Sequence, residues 1–271
     1  MNQPNLALPR RAGDADWLRP RFTSPRVGAL MSTRAGGISV GPWSGLNLGD
    51  AVGDDPAAVQ ANRARFAAAL GGAPTFLRQV HGSRVLRLPL VAHAGAAAPE
   101  ADASLTTEPG VACLVQAADC LPVLFAAPDG RGVAAAHAGW RGLAGGVLEA
   151  TVAALCEAAG CEPTDLEAWL GPCIGPRQFE VGTEVLQAFG AGEGADHPRF
   201  LPSRPGHWRA DLAGLAGDRL RALGLSRIGG GRWCTVEEAS RFFSYRRDRA
   251  GGSDSGRMAA AIWIEKDGTV P

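Results

Sequence analysis

Apolar positions along the chain follow two rhythms. Three stretches carry the helical one. Asp55-Pro56 places a capping side chain and a first-turn proline ahead of an Ala-rich run to Leu70, with Gly71 beyond it, which predicts a helix with a glycine stop. From Gly146 to Ala159, the residues Val147, Leu148, Thr151, Val152 and Leu155 share one face and Gly160 follows, so a helix packed on a sheet is predicted. A third helix starts at Asp211, sets Leu212, Leu215, Ala216, Leu220 and Leu223 at helical spacing, and ends before Gly224.

Short β-type runs lie between them: Val27 to Thr33, Arg84 to Leu90, Val111 to Gln116, Val123 to Ala126, Gly132 to Ala136, Leu166 to Leu170 and Ala259 to Ile264. Strands and helices mix without strict alternation or a fixed-period repeat. The expected fold is therefore α+β (mixed α/β), with mixed β-sheets flanked by helices in a single domain. Residues 1–26 read as an N-terminal extension and 27–271 as the domain. Gly190 to Gly206 reads as a long surface excursion, with His197 and His207 as solvated loop residues and His93 as a further loop histidine.

Charge narrows the partners. With 27 Lys+Arg against 27 Asp+Glu the formal charge is zero, so nothing draws the chain to a nucleic-acid polymer or an anionic membrane. A small-molecule ligand is expected. The most apolar stretch, Val111 to Ala127, is broken by Gln116, Asp119 and Pro122 and predicts no membrane span. The stretch Met1 to Trp17, with Arg10 and Arg11, has no secretory apolar run, which predicts a cytoplasmic protein. Cys113, Cys120, Cys156, Cys161, Cys173 and Cys234 would then sit in a reducing compartment, as packing residues, metal ligands or nucleophiles, and no pair is spaced CxxC.

Absent motifs also exclude chemistry. Lys266 is the sole lysine, which leaves almost no source for a Schiff base or phosphate-loop lysine. No GxSxG or HExxH occurs, and the GxGxxA-like run Gly190 to Ala195 follows a helix-like segment, so it reads as a loop.

Three segments join a metal ligand or nucleophile to the abrupt end of an apolar run: Gln79-Val80-His81-Gly82, Ala118-Asp119-Cys120-Leu121-Pro122 and His137-Ala138-Gly139-Trp140-Arg141-Gly142. Each is expected to present its reactive side chain at a strand end, where a rigid backbone meets a cleft. Residue chemistry alone leaves two readings open: a joint His/Cys/His site, or a packed cysteine and structural histidines.

These segments, in this order, resemble the signature of the laccase-domain family, also called the polyphenol-oxidase or peptidoglycan-editing-factor family, of YfiH type. The resemblance extends to Ser32-Thr33-Arg34-Ala35-Gly36-Gly37-Ile38-Ser39, Leu46-Asn47-Leu48-Gly49 and Val52-Gly53-Asp54-Asp55-Pro56 upstream. Downstream it includes Gly171-Pro172-Cys173-Ile174-Gly175-Pro176 and Phe243-Ser244-Tyr245-Arg246-Arg247-Asp248. It implies mixed sheets flanked by helices and a zinc site on His81, Cys120 and His137. Three ligands of that kind suit Zn²⁺ and leave a fourth position for water or substrate. Without metal, a nearby imidazole would make Cys120 a nucleophile.

The resemblance further implies purine nucleoside chemistry: phosphorolysis of adenosine, inosine, guanosine or methylthioadenosine, and deamination of adenosine. Deamination needs a water activated by the metal, for which His81, Cys120 and His137 suffice. Phosphorolysis needs an anion pocket, and Arg141, ahead of a Gly-rich turn into the second predicted helix, leads the candidates over Arg34, Arg246 and Arg247. Asn47 either binds a ligand or holds its own turn. Tyr245, the only tyrosine, is the one phenol available. Trp140 reads as a core or rim aromatic, Asp119 as an imidazole-orienting partner or a turn former, and Cys173 as part of a shaped loop. The segment Arg249 to Gly256 is longer than the family pattern, which leaves the substrate open. Two alternatives stand beside this reading: copper-dependent polyphenol oxidation, weakened by having only five histidines, and editing of a peptidoglycan precursor or binding of its nucleotide.

Overall fold

The computed structural model describes residues 16–90, 97–192 and 197–266. In chain order the strands are β1 (Val27–Met31), β2 (Ala73–Thr75), β3 (Val85–Leu88), β4 (Ala103–Thr106), β5 (Val111–Ala117), β6 (Leu121–Ala126), β7 (Val133–Ala138), β8 (Glu167–Leu170), β9 (Glu180–Gly182), β10 (Phe200–Arg204), β11 (His207–Ala210), β12 (Arg227–Gly230) and β13 (Met258–Ile264). The helices are α1 (Pro56–Ala68), α2 (Trp140–Ala144), α3 (Val147–Ala159), α4 (Thr183–Ala188), α5 (Leu212–Ala222) and α6 (Tyr245–Ala250).

Period-two alternation with both phases apolar builds the centre. Along β5, Cys113 and Val115 point into one core while Ala112 and Leu114 point into another. Along β7, Val133 and Ala135 face the first of these cores while Ala134, Ala136 and Ala138 face a third. The result is layered. A four-stranded sheet of order β1-β13-β5-β2 and a six-stranded sheet of order β12-β8-β6-β7-β4-β3 enclose the middle core. The outer face of the four-stranded sheet is covered by Phe66 of α1 together with Trp17, and that of the six-stranded sheet by α3 and α5. Each fully buried leucine or valine in these layers is worth about 1.5–3 kcal/mol.

The three predicted helices form, and α1 and α5 are capped by the side chains of Asp55 and Asp211, which accept from Ala57 N and Gly214 N. Gly160 takes φ 62° at the end of α3, the left-handed cap that glycine favours. Gly71 has another role: α1 ends at Ala68, and a Cβ on Gly71 would collide with the Trp263 indole. Each predicted strand run overlaps an observed strand.

The structure differs in three places. Within the region read as a surface excursion, β10 pairs with β11, which pairs with β9; residues 193–196 lie outside the described set. His207 belongs to β11, and His197 packs edge-on against Phe200 with ring centroids 5.1 Å apart, so neither is a free loop residue. His93 lies outside the described residues. At the other end of the chain, Trp17 is buried against Phe66 and Leu18 bridges to Met31, so the domain includes the last part of the stretch read as an extension.

Strand order brings the chemistry together. β6 and β7 run antiparallel with Pro122 opposite His137, and β4 flanks β7 with Ala103 opposite Ala136. β3 is parallel to β4, with Val85 opposite Ala103. The starts of β3, β4 and β6 therefore share one end of the sheet with the end of β7. In the other sheet the end of β5 meets the start of β13, Ala117 opposite Met258, and β5 runs through Ala118-Asp119-Cys120 into β6.

Candidate active site

His81 is held in a turn just ahead of β3. Gln79 ties the turn to the end of β5: its Nε2 donates to the Gln116 carbonyl at 2.8 Å and its Oε1 accepts from Gln116 N at 2.7 Å. His81 itself has φ 60°, a left-handed conformation unusual outside glycine and several-fold enriched in histidine. Asp102 holds it there. The Asp102 carboxylate accepts from the backbone N–H of Val80 at 3.1 Å, His81 at 2.9 Å and Gly82 at 2.8 Å.

The same carboxylate serves the second histidine. Asp102 Oδ1 lies 2.8 Å from His137 Nδ1, with both residues buried. Burial works against charge on Asp102, but the bonds from His137, Gly82 and Val80 outweigh it and hold the carboxyl below its ordinary range. An ionised Asp102 makes His137 Nδ1 the donor, which turns Nε2 toward Cys120. Asp102 lies in no motif singled out by sequence, because the strand it precedes, Ala-Ser-Leu-Thr, is only four residues long and is buried at every position.

Cys120 sits one residue before β6, after Asp119 at φ 86°. Asp119 orients no imidazole. Its carboxylate accepts from Thr235 Oγ1 at 2.5 Å, Ser244 Oγ at 3.1 Å and Arg246 N at 2.6 Å, and its carbonyl from Ile174 N at 2.9 Å. It thereby clamps the cysteine turn to three other segments.

The three reactive side chains converge. One ligand atom from each of His81, Cys120 and His137 lies within 4.8 Å of the others, and Cys120 Sγ is 3.7 Å from His81 Nε2. Donors sharing a tetrahedral Zn²⁺ stand about 3.5 Å apart, given the usual Zn–S and Zn–N bond lengths. The packing leaves room for this group: a Cβ at Gly139 would lie 2.7 Å from His81 Cδ2 and 2.9 Å from Cys120 Sγ. Charge fits as well. Burial opposes the Cys120 thiolate, but the His137 charge and hydrogen bonds from both histidines hold the thiol down to about 6. Burial likewise opposes the His137 imidazolium, while Cys120 and Asp102 push it up to about 9. A thiolate and two imidazoles with one exposed member, His81, suit a metal that keeps a coordination position open to solvent.

The remaining sequence candidates separate by their bonds. Asn47 uses both ends of its amide within the protein, donating to Gly49 O and Asp54 Oδ2 and accepting from Gly49 N and Arg257 N. Arg34 donates to the carbonyls of Ala239 and Ser44 and lies over the Phe243 ring. Arg246 donates to Glu180 O, and Arg247 to Thr235, Val236 and Phe242 carbonyls. Arg141 falls inside α2 and ahead of α3, exposed, with its guanidinium 4.3 Å from the Trp140 ring. Tyr245 opens α6 and is 47% exposed. Cys173 is buried and its thiol pushed well up by burial, as a shaping residue would be. In a cleft beside it, lined by Ile174, Arg177, Asp211, Arg232, Trp233 and Glu237, Arg177 is already joined to Glu237 at 2.7 Å.

A mixed-sheet scaffold carrying a carboxylate-braced His-Cys-His donor group defines a protein whose site could hold a metal ion. Residues 28–265 match the multi-copper polyphenol oxidoreductase laccase family, and the chain belongs to it. It is 47% identical over 259 residues to a purine nucleoside phosphorylase of Pseudomonas aeruginosa, covering 92% of this chain and 98% of that one. It is 46% identical over 248 residues to purine nucleoside phosphorylase YfiH of Escherichia coli, covering 90% and 97% respectively. The crystal structure of a Neisseria meningitidis protein superposes with a TM-score of 0.83 at 43% identity over 93% of this chain and all (100%) of that one. That of YlmD from Geobacillus stearothermophilus does so with a TM-score of 0.83 at 32% identity, over 95% and 98%.

Proposed function

We propose that the chain is a zinc-dependent purine nucleoside phosphorylase acting on adenosine, inosine, guanosine and methylthioadenosine, with adenosine deamination as a second activity. The observation that carries the reading is the convergence of His81, Cys120 and His137 within 4.8 Å, in a chain so similar to proteins named purine nucleoside phosphorylase. In phosphorolysis a phosphate oxygen bonds to C1′ as the bond from C1′ to N9 breaks; the purine leaves with the electron pair and takes up a proton. In deamination water adds at C6 and ammonia leaves. Zinc held by the three residues would supply Lewis acidity and lower the pKa of water toward neutrality.

The chain's own groups supply the rest. Asp102 fixes the His137 tautomer and the His81 turn. Exposed His81 leaves one side of the group open to a nucleoside, and Arg141 on α2 assists the anion. Among the described residues this trio is the only cluster of three histidine, cysteine or acidic donors, which favours a single zinc over a multicopper oxidase centre. The partners are then a nucleoside and phosphate rather than a nucleic-acid polymer or a membrane, and among the described residues no helix is long and apolar enough to cross one. A cytoplasmic location would keep Cys120 reduced. The test is elemental analysis of the purified protein with chromatography of adenosine products. Zinc near one per chain, with adenine and some inosine formed, supports the reading; bound copper with oxygen uptake on phenols overturns it.

A further inference from the structure

Among the arginines near the site, Arg257 commits a single guanidinium nitrogen to backbone carbonyls. Its Nη1 donates to the carbonyls of Ser255 at 2.7 Å and Gly256 at 3.2 Å. Among the described residues, no bond engages its Nε or Nη2, and no carboxylate stands within ion-pair distance. Burial withdraws the guanidinium from water and lowers its pKa, and the charges that oppose this are Cys120, Asp119, Tyr245 and Asp254. A partly desolvated cation with no carboxylate in ion-pair contact is stabilised by a directly bonded anion, which a ligand would supply.

The placement is firm. Arg257 stands one residue before β13, whose first rung sets Met258 opposite Ala117, so it emerges beside the Ala118-Asp119-Cys120 turn. Its backbone N–H donates to Asn47 Oδ1 at 2.8 Å and its carbonyl accepts from Leu48 N at 3.0 Å. Gly49 leaves space for its stem, where a Cβ would lie 2.7 Å from Arg257 Cγ. The guanidinium carbon lies 5.8 Å from the centre of the Tyr245 ring. The Nε and Nη2 edge is the planar fork that matches two oxygens of a phosphate.

We propose that Arg257 binds inorganic phosphate beside the His81, Cys120 and His137 group, with the fork taking two phosphate oxygens and the Tyr245 ring supporting the guanidinium. This rests on the phosphorolysis reading and assigns its anion site. Arg257 would thus add to Arg141 a phosphate contact from the far end of the chain.

The experiment compares wild type with Arg257→Gln and Arg257→Lys in the metal-loaded full chain. Phosphate and adenosine KM are measured separately, and binding of inorganic phosphate alone is measured by calorimetry. A charged hydrogen-bonded pair is worth about 10–100-fold in affinity. The expected result is a phosphate KM and Kd raised by about that factor in Arg257→Gln, with adenosine KM and zinc content within about twofold of wild type. Arg257→Lys keeps charge without the fork and should fall between; it also carries the test if thermal melting shows Arg257→Gln unfolded. Wild-type phosphorolysis with unchanged phosphate KM and Kd in the variants overturns the site and leaves the reading intact. Phosphate binding lost in Arg257→Gln, with no phosphorolysis by wild type, supports the site and overturns the reading. No phosphate binding by wild type overturns the site.

Discussion

Asp102 Oδ1 and His137 Nδ1 meet at 2.8 Å in a pair sealed from solvent, and the same carboxylate accepts from Val80, His81 and Gly82. One buried side chain therefore sets both the tautomer of one histidine and the left-handed turn that presents the other. The geometry of the His81, Cys120 and His137 donor group depends on a residue outside that group.

Replacing Asp102 with Asn puts an amide N–H₂ against donors, so at least one backbone N–H or His137 Nδ1 loses its acceptor. Metal affinity is expected to fall about 10–100-fold, read by competition with a chromogenic chelator. Removing the carboxylate entirely, as in Asp102→Ala, should also destabilise the fold by about 3–5 kcal/mol, as breaking buried charged pairs does. Unchanged affinity in Asp102→Asn would show that the two histidines are held by the rest of the sheet.

Gly139→Ala tests the space around the group. Gly139 has φ −65°, which any residue adopts, so the effect comes from the added methyl 2.9 Å from Cys120 Sγ and 2.7 Å from His81 Cδ2. Displacing these side chains costs about 1–3 kcal/mol. The variant should fold but hold metal at least about tenfold more weakly, seen as substoichiometric metal after gel filtration. One metal per chain with wild-type affinity would refute this packing argument.

The coupled thiol and imidazole set the pH behaviour of metal-free protein. Despite burial, His137 holds Cys120 down to about 6 from an ordinary 9.0, so its contribution to stability is full above 9.0 and lost as pH falls through about 6. Despite burial, Cys120 and Asp102 hold His137 up to about 9 from 6.5, so its contribution is full below 6.5 and lost as pH rises through about 9. The slopes oppose each other, because folded and unfolded chains each bind one proton at this pair across most of that window. The pair should therefore leave thermal stability nearly flat between pH 6.5 and 9, while thiolate absorbance titrates with a midpoint near 6. Metal entry should release about one proton in that window. A thiolate midpoint near 9.0 would contradict the coupling.

Elements with a strong period or, as in α1, a clear Asp-Pro start were legible in the sequence; those with neither were not. α3 and α5 carry apolar stripes on one face, whereas α6 reads Tyr-Arg-Arg-Asp-Arg-Ala and α2 is five residues long with Gly142 inside it. β10 carries Pro202 and exposes four of its five positions, which hid a hairpin in apparent loop sequence. The His81, Cys120 and His137 segments stood out because each ends an apolar run. Asp102 and Arg257 did not, because their roles come from register: one strand places Asp102 beside His137, and another places Arg257 beside Cys120's turn. Only a near-glycine signal, His81 followed by Gly82, hinted at the strained turn.

The central claim is tested most directly by incubating adenosine with the protein in phosphate buffer, beside Cys120→Ala prepared identically, and measuring ribose 1-phosphate. The account predicts ribose 1-phosphate and adenine in equal amounts from wild type and a loss of at least about a hundredfold in the variant. No ribose 1-phosphate from wild type, or equal amounts from both proteins, would contradict it.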